Sequence, residues 1–127
     1  MNSLTPIRLN ETQFTPEVNL DVDRSRFEFY GKSLPEDCNE FFEPIIDWFR
    51  SYVQIPNRET VLVFKLDYFN TSTSKKFLEI LNLLKEIHRQ KKSVIVHWYY
   101  RTGDEDMYET GETFSELVSI PFKIMPF

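Results

Sequence analysis

The chain has 127 residues and a formal net charge of −5, from 15 Lys plus Arg against 20 Asp plus Glu. That length predicts one domain able to bury a core without a staple, and the acidic balance repels phosphate backbones, which argues against nucleic acid as a general partner. The three glycines, Gly31, Gly103 and Gly111, are too far apart for a Walker or dinucleotide-binding turn, and the lone Cys38 has no partner for an internal disulfide.

Residues 1–14 read as a loosely held arm and residues 15–127 as the domain. The opening MNSLTPIRLNE has no apolar run of signal-peptide length, and no later stretch approaches a membrane span. The expectation is a cytoplasmic protein with no membrane partner. EVNLDVDRSRFEFYG predicts two short strands, 18–22 and 26–30, around an Asp-rich turn. In NEFFEPIIDWFRSYV the residues Phe41, Ile45, Trp48 and Tyr52 share one helical face, with Phe42, Ile46, Phe49 and Val53 beside them. Pro44 suits that helix near its first turn and kinks it elsewhere.

ETVLVFKLDYF alternates as a strand, with Leu62, Phe64, Leu66 and Tyr68 on one face and Lys65 and Asp67 on the other. A helix is expected over 75–89, burying Phe77, Ile80, Leu81, Leu84 and Ile87. SVIVHWYY reads as a strand, and TGDEDMYETGETFSELV as a helix opened by a Thr102/Glu105 capping box. PFKIMPF closes the chain as an edge strand, since Pro126 cannot donate to a ladder. The order β-β-α-β-α-β-α-β predicts a single α/β domain: a mixed, mostly parallel sheet with helices packed mainly on one face. Parallel strands would gather GKSLPED, NTSTS and RTGDED at one carboxyl edge, where open α/β sheets bind ligands and partners.

The junction NTSTSKK carries the chemistry. One hydroxyl suffices to cap a helix, yet Thr71, Ser72, Thr73 and Ser74 follow one another. Lys75 and Lys76 come next, where a helix start would favour acids. Free amides, a positive dipole end and two lysines suit a phosphate, whether bound or covalently attached. Catalytic readings are weaker. His88 and His97 lack metal-ligand spacing, Cys38 lacks a nucleophile signature, and no nucleophile elbow is present. Asp67 could serve as a receiver-type phosphoacceptor only with an acidic pair after the first strand, and NLDVDRSR falls in a hairpin instead. The acids 104–106 complement a helix start and form a candidate docking patch.

The segments TPEVNLD (15–21), GKSLPE (31–36), FFEPIIDWFRSY (41–52), DYFNTSTSKK (67–76) and DEDMYETGETFSEL (104–117) together resemble the SiaC family of regulatory phosphoproteins. These are small bacterial domains with a fold like that of the anti-sigma factor antagonist (STAS) domain. The resemblance implies a non-catalytic partner switch, without cofactor, acting in cyclic di-GMP signalling and biofilm control. A protein kinase would phosphorylate the threonine after the junction asparagine, and a PP2C-type phosphatase would reverse it. The unphosphorylated form would bind and activate a diguanylate cyclase or another target regulator. The asparagine is Asn70, which carries the site to Thr71, with Ser72 and Thr73 as alternatives. Asn70, Ser72, Lys75 and Lys76 would support the phosphate. The partner surface would comprise Ser33, Glu36, Asn70, Thr71, Asp104, Glu105 and Asp106. The competing reading is a small enzyme or phosphometabolite-binding domain using the same edge.

Overall fold

The computed structural model describes residues 4–127. Nine elements follow one another: β1 (Ile7–Leu9), β2 (Glu17–Asp21), β3 (Arg26–Ser33), α1 (Cys38–Tyr52), β4 (Glu59–Phe69), α2 (Thr71–Arg89), β5 (Ser93–Tyr100), α3 (Glu105–Val118) and β6 (Phe122–Pro126). They build a mixed α/β fold on one six-stranded sheet whose spatial order is the chain order, β1-β2-β3-β4-β5-β6. The first three strands pair antiparallel, and β3 through β6 run parallel. Each helix therefore carries the chain one strand further in the same direction. Crossovers of one hand and one direction must lie on the same side of the sheet.

That side holds the core. Leu20, Phe27, Phe29, Leu62, Phe64, Leu66, Val96 and Trp98 from the sheet meet Phe42, Ile45, Phe49, Phe77, Ile80, Leu84 and Phe114 from the helices, all buried. The Phe77 ring alone touches Phe29, Phe42, Phe64 and Phe69 at centroid separations of 4.8–5.7 Å. Among the described residues no helix covers the opposite face. Lys65 lies 5.2 Å from the Tyr99 ring and 4.9 Å from that of Phe127, a cation held over aromatic faces.

Four features differ from the sequence reading. The arm supplies a strand: β1 pairs with β2, Arg8 bonds Asp21 at 2.9 Å, and the Trp48 indole donates to the Thr5 carbonyl at 2.9 Å. Residues 1–3 of that arm lie outside the described residues. Pro44 sits in the second turn of α1 rather than the first, on its exposed side, and the carbonyl it leaves unpaired belongs to exposed Glu40. In β4 the register with β3 jumps from Gly31↔Leu66 to Lys32↔Tyr68, so Asp67 is an extra residue. One extra residue exchanges the two faces. Tyr68, expected inside, becomes 51% exposed, while Phe69 turns inward onto Phe77, Trp98 and Phe114. Finally, α3 is capped by Asp104, whose carboxylate accepts from the Met107 amide at 3.0 Å, and not by Thr102.

Candidate functional site

The carboxyl ends of β3, β4 and β5 are Ser33, Phe69 and Tyr100, and parallel pairing brings all three to one edge. Helix α2 begins there four residues earlier than its apolar stripe suggests. Its cap is none of the hydroxyl residues. Asn70, extended at φ −86° and ψ 174°, accepts from the Thr73 amide through its side-chain oxygen at 2.9 Å. Thr71 through Ser74 then form the first turn, which contains no acid. The first amides of a helix have no acceptor within it, so the turn presents positive potential at its open end.

The hydroxyl residues separate by environment. Thr71 and Ser72 are exposed, Ser74 is half-buried, and Thr73 has 0% exposure. The Thr73 hydroxyl donates to the Ser33 carbonyl at 3.2 Å and lies 2.8 Å from the Ser33 hydroxyl. The same Ser33 carbonyl accepts the Asn70 amide at 3.1 Å. Ser33 is itself fully buried. This geometry removes Ser33 from the expected partner surface and removes Thr73 as an accessible phosphoacceptor, because both hydroxyls face each other beneath the surface. Lys75 and Lys76 fall in the second turn, one turn later than expected. Lys75 is exposed, and Lys76 is half-buried with Glu79 at 4.0 Å.

Of the other expected contact residues, Glu36, Glu105 and Asp106 are exposed, and Asp104 is partly withdrawn by its capping bond. The bulged Asp67 pairs with Arg101, whose guanidinium stacks 4.7 Å from the Phe127 ring. Sequence reasoning missed this cluster. Its signal was Arg101 directly after β5, on the same edge as Asp67.

Beside Ser72, an open cleft of about 1060 Å³ lies between the starts of α1 and α2. Lys75 and Lys76 line it, but so do Glu36, Asp37, Glu40 and Glu79. Acids outnumber bases, which disfavours a bound phosphometabolite. Cys38 also borders the cleft, and burial pushes its thiol up, away from a reactive thiolate. His88 is exposed, and burial, with Lys123 nearby, shifts the His97 pKa downward, which favours the neutral imidazole. Among the described residues no group of His, Cys, Asp and Glu could hold a metal, and no helix is long and apolar enough to cross a membrane.

Comparison with known proteins bears on the family and the fold. Residues 9–127 match the family model described as SiaC family regulatory phosphoprotein. A protein of Pseudomonas aeruginosa strain UCBPP-PA14 is 34% identical over 121 residues, spanning 95% of this chain and 96% of the relative. The crystal structure of apo-SiaC from Pseudomonas aeruginosa superposes with a TM-score of 0.86 at 33% identity, covering 96% of this chain and 99% of that one. The SiaC chain in the crystal structure of the diguanylate cyclase SiaD in complex with its activator SiaC, from the same species, gives a TM-score of 0.88 at 34% identity. It covers 95% of this chain and 99% of that one.

Proposed function

Because this chain belongs to the SiaC family of regulatory phosphoproteins, we propose that it is a non-catalytic partner switch whose phosphoacceptor is Thr71. A protein kinase adds the phosphate, a PP2C-type phosphatase removes it, and the unphosphorylated form binds and activates a diguanylate cyclase. The activator role rests on the relative solved with its cyclase. The assignment to Thr71 rests on one observation: it is the exposed hydroxyl directly after the Asn70 cap, at the positive end of α2 and on the sheet's carboxyl edge.

The switch follows from charge. Phosphorylation adds about −1.5 to −2 at neutral pH, next to an edge already carrying Glu36, Asp104, Glu105 and Asp106. A partner surface shaped to a neutral hydroxyl meets a bulky dianion and loses affinity. A loss of about 3 kcal/mol raises the Kd of the complex over a hundredfold. The single free thiol suits a reducing compartment, and we place the switch in the cytoplasm.

The test is intact mass after incubating the protein with ATP and a clarified lysate of its source organism, followed by peptide mapping. A gain of one phosphoryl group on Thr71, stable in mild alkali and lost in Thr71→Ala, is the expected result. An alkali-labile adduct, or a phosphate mapped to Asp67 or Ser72, would overturn the assignment.

A further inference from the structure

Ser33 and Thr73 are two of the four polar residues buried among the described residues, and both have 0% exposure. Two hydroxyls whose partners are each other, the Ser33 carbonyl and the Cys38 thiol give little net stability over apolar groups of the same shape. Stability therefore leaves the pair unexplained. Direction explains it better. The Ser33 carbonyl takes both the Asn70 amide, at 3.1 Å, and the Thr73 hydroxyl, at 3.2 Å. The Thr73 amide in turn goes to the Asn70 side chain at 2.9 Å. Asn70 is thus held by its amide and by its side chain, and its carbonyl accepts from Ser74 at 3.0 Å. Thr71 is the next residue, with its own side chain left outside.

We propose that Ser33 and Thr73 form a positioning latch that presents Thr71 to its kinase. This rests on the reading of Thr71 as the phosphoacceptor. In that transfer the Thr71 oxygen attacks the γ-phosphorus of ATP, the bond to the β-phosphate oxygen breaks and ADP leaves. The hydroxyl proton passes to a base of the kinase. In-line transfer requires the oxygen in a narrow geometry, and a loosened junction lowers the fraction of molecules that offer it. The latch also ties the β3–α1 loop, with Glu36, to the start of α2, so both sides of the edge keep one arrangement.

The full chain serves for the test, with radiolabelled ATP, a clarified lysate as kinase source, and initial rates measured against substrate concentration. Thr73→Val keeps the side-chain shape and removes the hydroxyl. It should lower the maximal rate of Thr71 labelling about tenfold while KM changes less than about twofold. Thr73→Ser, which restores the hydroxyl, should return the rate to within about twofold of wild type. Hydrogen exchange should show the Asn70 amide opening faster in Thr73→Val, with the Phe77 and Ile80 amides unchanged. Wild-type labelling on Thr71 with an equal maximal rate for Thr73→Val would overturn the latch. Failure of the wild type to label on Thr71 would instead overturn the phosphoacceptor reading. Where Thr73→Val does not fold, Thr73→Ala, which also removes the hydroxyl bonded to the Ser33 carbonyl, carries the same comparison. If neither folds, exchange of the wild-type Asn70 amide decides. Protection equal to that of the α2 core supports the latch, and rapid local opening rejects it.

Discussion

Asn70 and Thr71 are adjacent in sequence and opposite in duty. Asn70 caps α2, so Asn70→Ala should cost about 0.5–2 kcal/mol. Thr71 is exposed in the first turn and bonds nothing the helix needs, so Thr71→Ala should stay within about 0.5 kcal/mol. Urea melts of the two variants check the order. The reverse order would make Thr71 the cap and misplace the site. A second residue-scale test concerns the arm. The Arg8 guanidinium beside Asp21, with help from the Arg24 amide, holds that carboxyl below its ordinary value of 3.8. A depressed carboxylate contributes stability above its unfolded value and loses it as pH falls through the folded one. Asp21→Asn should therefore be less stable than wild type at neutral pH, and the gap should close in acid. Thermal melts across pH that keep a constant gap would show that Arg8 contributes nothing and that β1 is held by other contacts.

At the scale of elements, α3 approaches the sheet through a glycine. A β-carbon on Gly111 would lie 2.5 Å from Cδ1 and 2.7 Å from Nε1 of Trp98. Trp98 cannot retreat, because its indole donates to the Met107 carbonyl at 3.0 Å and its ring is packed by Phe64, Phe69 and Phe114. Alanine gains about 1 kcal/mol of helix propensity, but overpacking costs about 1–3 kcal/mol. Gly111→Ala should be the less stable protein in denaturant melts, and a gain in stability would mean α3 slides freely over Trp98. The stripes of α1 and α2 and the alternation of β4 and β5 were legible because periodicity reports the buried face directly. Three details were not. Three residues of β1 at an edge are too short for a period. The bulge at Asp67 depends on pairing with β3, which no local pattern encodes, and it moved Tyr68 out and Phe69 in. The start of α2 was hidden because Thr71 through Ser74 read as a loop until Asn70 is seen to cap them. The same tertiary contact that buries Thr73 against Ser33, forty residues away, decided which hydroxyls remain accessible.

At the scale of the molecule, a sheet in chain order with four parallel strands delivers the β3–α1, β4–α2 and β5–α3 connections to one edge. Binding to a cyclase partner should therefore depend on residues far from Thr71 in sequence, each in its own way. Asp104 is committed to its cap, so Glu105 and Asp106 are the acids to reverse. Charges at an interface rim mainly steer encounter. Glu105→Lys with Asp106→Lys should slow association and change its salt dependence while leaving dissociation nearly as it was. Thr71→Glu places charge at the centre of the edge. An acid in the first turn favours the helix dipole, so that variant stays folded, yet it should dissociate faster, since desolvated charge at the centre of a contact acts on the complex itself. Stopped-flow binding at several ionic strengths separates the two effects. Reversal of the acids with no change in association rate, beside a Thr71→Glu complex that no longer forms, would confine the partner to the α2 junction. The β5–α3 connection would then share the edge without sharing the interface.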